Sequence, residues 1–261
     1  MSIWNDIVDF FFPRTCAMCG DRLLHDERHI CMSCLRKIHR VAYHNSPQHG
    51  FVERLFWGRI PIERATSFFY YEGEGSRHLI HAIKYHRRPE VALHLAGIFA
   101  DEMLGTDFFD AIDGIIPLPL HPIKQMRRGY NQSEYIARGL SCATGIPLLR
   151  KVVRRIRNNR PQARIHHYGR HENVSQIFRL VRPEAIAGKH ILLVDDVLTT
   201  GATILSCAEE LAKAPGVRIS LFTLALAHSP ADQLVLETLE DYMEVQCTSM
   251  PSKYSSEMAV S

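Results

Sequence analysis

The sequence predicts an α/β fold: a mostly parallel sheet flanked by helices, with a small N-terminal four-cysteine module. Three observations carry this. From residue 65 onward, short apolar runs alternate with stretches of helical periodicity, the pattern of strands joined by crossover helices. The apolar run His190–Val194 leads into two adjacent carboxylates and a glycine-containing loop that opens the next helical stretch. Ahead of both stand two CxxC pairs, Cys16/Cys19 and Cys31/Cys34.

Taken in order, residues 3–12 read as a short amphipathic helix ended by Pro13, which cannot continue it. Its apolar face suits packing on the main domain better than membrane contact. Residues 1–43 form the helix and cysteine module, and 44–63 read as a linker with Trp57 as an anchor. Ala65–Tyr71 is strand-like, 76–104 is helical with a break near Pro89, and Ala111–Leu118 is a buried strand. Asn131–Thr144 is a helix capped by Asn131 or Ser133, whose side chains accept from a free N–H of the first turn. His190–Val194 suits a parallel strand covered on both faces. Ala202–Ala214 is a helix and Val217–Leu226 a strand, closing a main domain over 64–229. Residues 230–242 read as a last helix and 247–261 as a frayed tail, together the C-terminal segment 230–261.

The chain has 261 residues, 46% of them hydrophobic, ample for one core and an appendage. No stretch approaches the ~20 apolar residues that span a bilayer. The N-terminus carries Asp6 and Asp9 and lacks a basic n-region, so it does not read as a secretory signal and a cytoplasmic location is expected. The net charge of +3 hides an asymmetry: residues 121–182 hold fourteen Lys and Arg against two acids, a net +12, which leaves −9 elsewhere. Such a window suits a loop closing on phosphates, a single-stranded nucleic-acid surface, or a solvated basic face. Tyr130, Tyr135, Tyr168 and Phe178 are its only aromatics apart from histidines, which is sparse for a stacking platform.

Seven cysteines, an odd number, argue against a disulfide framework. Two CxxC pairs eleven residues apart suit one tetrahedral zinc held by Cys16, Cys19, Cys31 and Cys34. Four thiolates leave no open position, so the role is structural. His25 and His29 between the pairs are loop residues on this reading.

The chemistry concentrates in Ile191–Thr203, ILLVDDVLTTGAT. In open α/β sheets, ligands bind at the carboxyl ends of strands. A helix N-terminus rich in free N–H groups and hydroxyls takes phosphate, and Gly201 lets the backbone approach it. Asp195 and Asp196 would repel that phosphate, but they accept hydrogen bonds from sugar hydroxyls. The segment reads as a holder of a ribose phosphate.

This segment resembles the motif by which type I phosphoribosyltransferases bind 5-phosphoribosyl 1-pyrophosphate (PRPP). With the cysteine module, the chain resembles the ComF family, from about residue 10 to residue 228. Asp113–Pro122 resembles the first core strand and its pyrophosphate loop, Arg127-Arg-Gly-Tyr-Asn-Gln132 the RGFNQ signature, His81–Tyr85 the LKY segment, and Arg170–Val174 the end of the flexible loop. One departure stands in that loop: Gln162 is flanked by Pro161 and Ala163, where members carry threonines.

The resemblance implies roles for named residues. Asp195 and Asp196 would hold the ribose hydroxyls, and Thr199, Thr200, Gly201, Ala202 and Thr203 the 5-phosphate. Pyrophosphate would meet the 117–121 backbone (Leu118, Pro119 and Leu120 within it), with Arg127, Arg128 and Lys84. Gln162, Arg164 and Arg170 would belong to the flexible loop, and Mg²⁺ would come with PRPP. The reaction implied is displacement of pyrophosphate from the ribose C1 by a nitrogen acceptor, which the sequence leaves open. The alternative is a non-enzymatic, PRPP-responsive accessory protein of DNA uptake that binds single-stranded DNA through 121–182. The oligomeric state is also left open, a dimer included.

Overall fold

The computed structural model describes residues 13–42, 51–56, 58–157 and 177–227, all within one unit of the chain, Met1–Ala227. The readings for 3–12, Trp57, Gln162, Arg164, Arg170 and 230–261 lie outside the described residues.

The elements follow the order α1 (Met32–Lys37), α2 (Phe51–Arg54), β1 (Ala65–Tyr70), α3 (Gly73–Tyr85), α4 (Pro89–Glu102), β2 (Gly114–Pro117), α5 (Pro122–Arg128) and α6 (Gln132–Thr144). Then come β3 (Val153–Arg155), β4 (Phe178–Leu180), a 3-10 turn at Pro183–Ala185, β5 (His190–Leu198), α7 (Ala202–Leu211) and β6 (Arg218–Leu226). The main sheet has the order β1-β6-β5-β2, every pair parallel, and β3 and β4 form a separate antiparallel hairpin.

Alternation along β5 builds the core on both faces. Leu192 and Val194 join Phe222, Leu95 and Ile136 on the α3, α4 and α6 side. Ile191 and Leu193 join Ile204, Leu211 and Phe178 on the α7 and hairpin side. Phe99 of α4 stacks on Phe222 at 4.2 Å between centroids. Helices α4 and α6 approach closely at Gly139, where a Cβ would sit 2.3 Å from the Leu93 carbonyl.

Both outer strands are covered by irregular chain, which removes exposed edges. Residues 39–41 lie along β1, with Val41 N–H donating to Phe68 O at 3.2 Å and Tyr70 N–H to His39 O at 3.0 Å. Pro147–Leu149 lies along β2, where Leu149 N–H donates to Ile115 O at 2.8 Å.

The sequence assigns 44–63 to a linker, but its described part contains α2 and two core anchors, Val52 and Phe56. The segment is too short for helical periodicity to show. Two further elements, α5 and the β3–β4 hairpin, have no counterpart in the sequence reading. Helix α5 buries no residue, so it has no apolar stripe to betray it. It is set by Pro122 at its first turn, the His121 ring accepting from Ile123 N–H, and Gly129 at φ 85° ending it.

Candidate functional site

The site forms at the carboxyl ends of β5 and β2, where α3, α5, α6 and α7 converge. Asp196 meets Lys84 of α3, and Asp195 meets Ser133 at the start of α6. Asp196 has a side chain only 6% exposed, and its Oδ1 lies 3.0 Å from Lys84 Nζ on α3. Its other oxygen, Oδ2, is buried with no partner among the described residues. A buried carboxylate oxygen without a partner is costly, and a ligand hydroxyl would relieve it.

Asp195 Oδ1 accepts from the Ser133 hydroxyl at 2.9 Å and from Asp196 N–H at 2.8 Å. Burial, then the neighbouring Asp196 charge, pushes the Asp195 carboxyl up to about 7. Arg155 of β3 lies close enough for the Asp195 charge to act on it, although burial lowers its own pKa.

Beyond β5 the chain turns at Gly201, which has φ 71° and caps α7. Gly201 is buried while Thr199, Thr200, Ala202 and Thr203 are exposed. Phe56 packs beneath the turn: a Cβ on Gly201 would lie 3.1 Å from Phe56 Cε1. The loop thus rests on an aromatic floor supplied by the segment read as linker.

The loop after β2 is equally constrained. Leu118 N–H donates to Val194 O at 2.8 Å, and Leu118 O accepts from Asn131 Nδ2 at 3.0 Å. Asn131 Oδ1 in turn accepts from Ser133 N–H at 3.2 Å, capping α6. Pro117 and Pro119 have no N–H. Among the described residues, the N–H groups of Leu120 and His121 make no backbone bond, so they are the donors the loop has to offer.

Next to this loop lies a cavity of about 360 Å³ lined by Lys84, Tyr85, Arg87, Lys124, Arg127, Arg128 and Tyr130. Arg128 bonds the Gln132 side chain and stands 5.5 Å from the Tyr85 ring centre. Burial, and then the cations Arg155, Arg128 and Lys84, lower the Lys124 pKa. The structure brings Lys84, Arg127 and Arg128 together around one cavity, along with Lys124 and Tyr85. The spacing Lys124–Arg127–Arg128, on one helix face, was a usable signal. Nothing local pointed to Ser133 as the partner of Asp195, or to Phe56 and Arg155.

At the N-terminal module, the sulfurs of Cys16, Cys19, Cys31 and Cys34 lie within 4.8 Å of one another. They could hold a metal ion such as zinc. Backbone N–H groups of Met18 and Cys31 point at Cys16 Sγ, at 3.4 and 3.3 Å. Burial raises the Cys16 pKa, but these N–H bonds and that of Cys19 outweigh it and bring the thiol down to about 7. Burial and the neighbouring thiols push Cys34 well up. A cation would resolve that competition by deprotonating all four. Gly20, at φ 82°, makes the turn of the first knuckle. The module docks on α3: His78 Nδ1 meets Met18 O at 3.2 Å, and Gly75 admits the Met18 side chain where a Cβ would lie 2.2 Å from Cε.

The phosphoribosyl transferase domain family matches residues 135–253. The DNA utilization protein YhgH of Salmonella typhi is 29% identical over 223 residues, covering 81% of this chain and 96% of its own. Competence protein F of Haemophilus influenzae is 27% identical over 220 residues, covering 81% and 84%. These similarities are consistent with a ComF family phosphoribosyltransferase-like protein. Competence protein ComFC of Bacillus subtilis is 24% identical, covering 77% of this chain and 86% of its own. The fold is that of type I phosphoribosyltransferases, a parallel sheet flanked by helices. Adenine phosphoribosyltransferase of Saccharomyces cerevisiae covers 54% of the chain and 71% of its own at 16% identity, with a TM-score of 0.35. No helix among the described residues is long and apolar enough to cross a membrane.

Proposed function

We propose that this protein binds PRPP with Mg²⁺ near the end of β5 and acts as a phosphoribosyltransferase: a nitrogen acceptor bonds to the ribose C1, and the C1–oxygen bond breaks to release pyrophosphate. The observation that carries the reading is the acid pair, with Asp196 Oδ2 buried and unpartnered among the described residues, followed at Gly201 by the glycine turn of α7. A ribose hydroxyl would satisfy Oδ2, with Asp195 as the second acceptor. The 5-phosphate would take the N–H groups and hydroxyls of 199–203 at the positive end of α7.

Pyrophosphate would face the N–H groups of Leu120 and His121 and the cations Lys84, Arg127 and Arg128. On this reading Leu118 and Pro119 shape the loop rather than donate. Mg²⁺ would supply charge neutralisation on the phosphate oxygens, and the acid pair fits it as a neighbour through the ligand's hydroxyls. The protein's share is positioning and electrostatic stabilisation. Zinc at the four cysteines would be structural, and the location cytoplasmic.

Calorimetric titration of PRPP and Mg²⁺ into wild type and Asp195→Asn/Asp196→Asn tests the site. Saturable binding lost in the variant is expected. No binding by folded wild type would overturn the reading.

A second reading follows from the cavity where Tyr85 and Tyr130 stand among five cations, and from the names of the relatives, which speak of competence and DNA utilization. Here the protein handles single-stranded DNA, phosphates on the cations and a base on Tyr85, which is 64% exposed. The structure adds Tyr85 to a basic window that was poor in aromatics. Binding of a labelled oligonucleotide that weakens steeply with salt, and weakens again in Tyr85→Ala, would support it. A flat salt response would sink it.

A further inference from the structure

A second, larger cavity of about 780 Å³ opens beside the β2–α5 loop, between that loop and the β3–β4 hairpin. Neither the acid pair, nor Lys84, nor the 199–203 loop lines it. Its volume falls in the range of small-molecule sites.

The lining has two characters. One part is apolar, with Ile116, Leu149 and Val152 in the wall and Val181 left 43% exposed. The other is cationic, and its five cations are not equivalent. Arg150 is paired with Glu134, Nε to Oε1 at 3.0 Å. Arg182 donates to the carbonyls of Lys151 and Arg150 and so holds the wall itself. Lys151 and Arg154 make no ion pair among the described residues and are exposed at the opening. Arg155 lies over the Phe178 ring, 5.4 Å from its centre, a contact that does not neutralise its charge.

Two free cations select an anion. An apolar wall of this extent would be left wet by pyrophosphate or a sugar phosphate alone. A planar apolar body meets it better, and a guanidinium plane stacks on such a body. We propose that this cavity binds a nucleoside monophosphate, the base against the apolar wall and Arg155, and the phosphate on Lys151 and Arg154. The proposal stands whether or not the strand end takes PRPP. The β2–α5 loop would join the two ligands, since Pro119 and Leu120 line this cavity and the same loop faces the strand end.

The test is calorimetric titration of AMP and of UMP into the full chain. One arm uses Asp195→Asn/Asp196→Asn, and another wild type saturated with PRPP and Mg²⁺. Saturable nucleotide binding is expected in both arms. Lys151→Glu/Arg154→Glu should raise the Kd at least about tenfold, and so should Val181→Glu, which places a like charge on an exposed wall position. Pyrophosphate and ribose 5-phosphate should bind at least about tenfold more weakly than AMP in the Asp195→Asn/Asp196→Asn arm. Absence of nucleotide binding, its loss in both arms, or an unchanged Kd in the charge-reversed variant would each overturn the proposal. Pyrophosphate binding as tight as AMP would also overturn it, because the apolar wall would then do nothing.

Discussion

Lys84 Nζ and Asp196 Oδ1 stand 3.0 Å apart, the lysine at the end of α3 and the aspartate near the end of β5. The pair joins the helix that carries the cysteine module to the strand that carries the acids. Removing one partner strands a buried charge. Lys84→Met is therefore expected to destabilise the fold by about 3 kcal/mol. Adding Asp196→Asn should restore part of that loss. Thermal midpoints of the two single variants and the double variant check this, and additive effects would refute the coupling.

Asp195 carries a pH prediction. Burial and the Asp196 charge raise its pKa to about 7, above the ~3.9 of an unfolded aspartate. The folded state then binds the proton more tightly than the unfolded state. The stabilisation is fully present below about pH 4 and is lost as pH rises through about 7. Asp195→Asn should consequently raise the thermal midpoint at pH 8 and leave it little changed at pH 4.

Ligand binding should run the other way. If the ionised Asp195 accepts a ribose hydroxyl, PRPP affinity falls about tenfold between pH 8 and pH 6, following the ionised fraction of a group titrating near 7. Titrations at both pH values measure this. An affinity flat across the range would remove Asp195 from the binding step.

Gly201 combines φ 71° with the Phe56 ring beneath it. Gly201→Ala adds left-handed strain of about 1–2 kcal/mol and a contact of 3.1 Å to the ring. Lower stability and weaker PRPP binding are expected together. Phe56→Ala should cost about 3–5 kcal/mol, because the ring is buried to 1%.

Among the four thiols, Cys16 is drawn down to about 7 while Cys34 is pushed up, so a cation is needed to hold all four as thiolates. The purified protein should contain about one zinc per chain. Stripping it with a chelator should lower the thermal midpoint and expose the α3 surface under Met18 and His78 to amide exchange. Metal-free protein with unchanged protection would contradict this.

Much of the architecture was legible in local pattern. The strand 190–194, the helix from Asn131, the glycine turn at 201 and the two CxxC pairs follow from periodicity, capping chemistry and ligand spacing, which act over a few residues. The acid pair was read as following the strand, whereas β5 continues through both acids to Leu198. Helix α5 escaped because it buries nothing, and Phe56 escaped because four helical residues show no period.

What only the tertiary structure decided is which distant groups meet. The order β1-β6-β5-β2 sets β2 beside β5, and so lets Val194 O take the Leu118 N–H. Packing of α3 and α6 on one face of the sheet delivers Lys84 to Asp196 and Ser133 to Asp195. Such pairings depend on how layers stack and on which side chains fill the space between them. Local sequence determined the strands, turns and ligand types, because their energetics are short-range. The charge balance at the acid pair is long-range, and only packing could assign it.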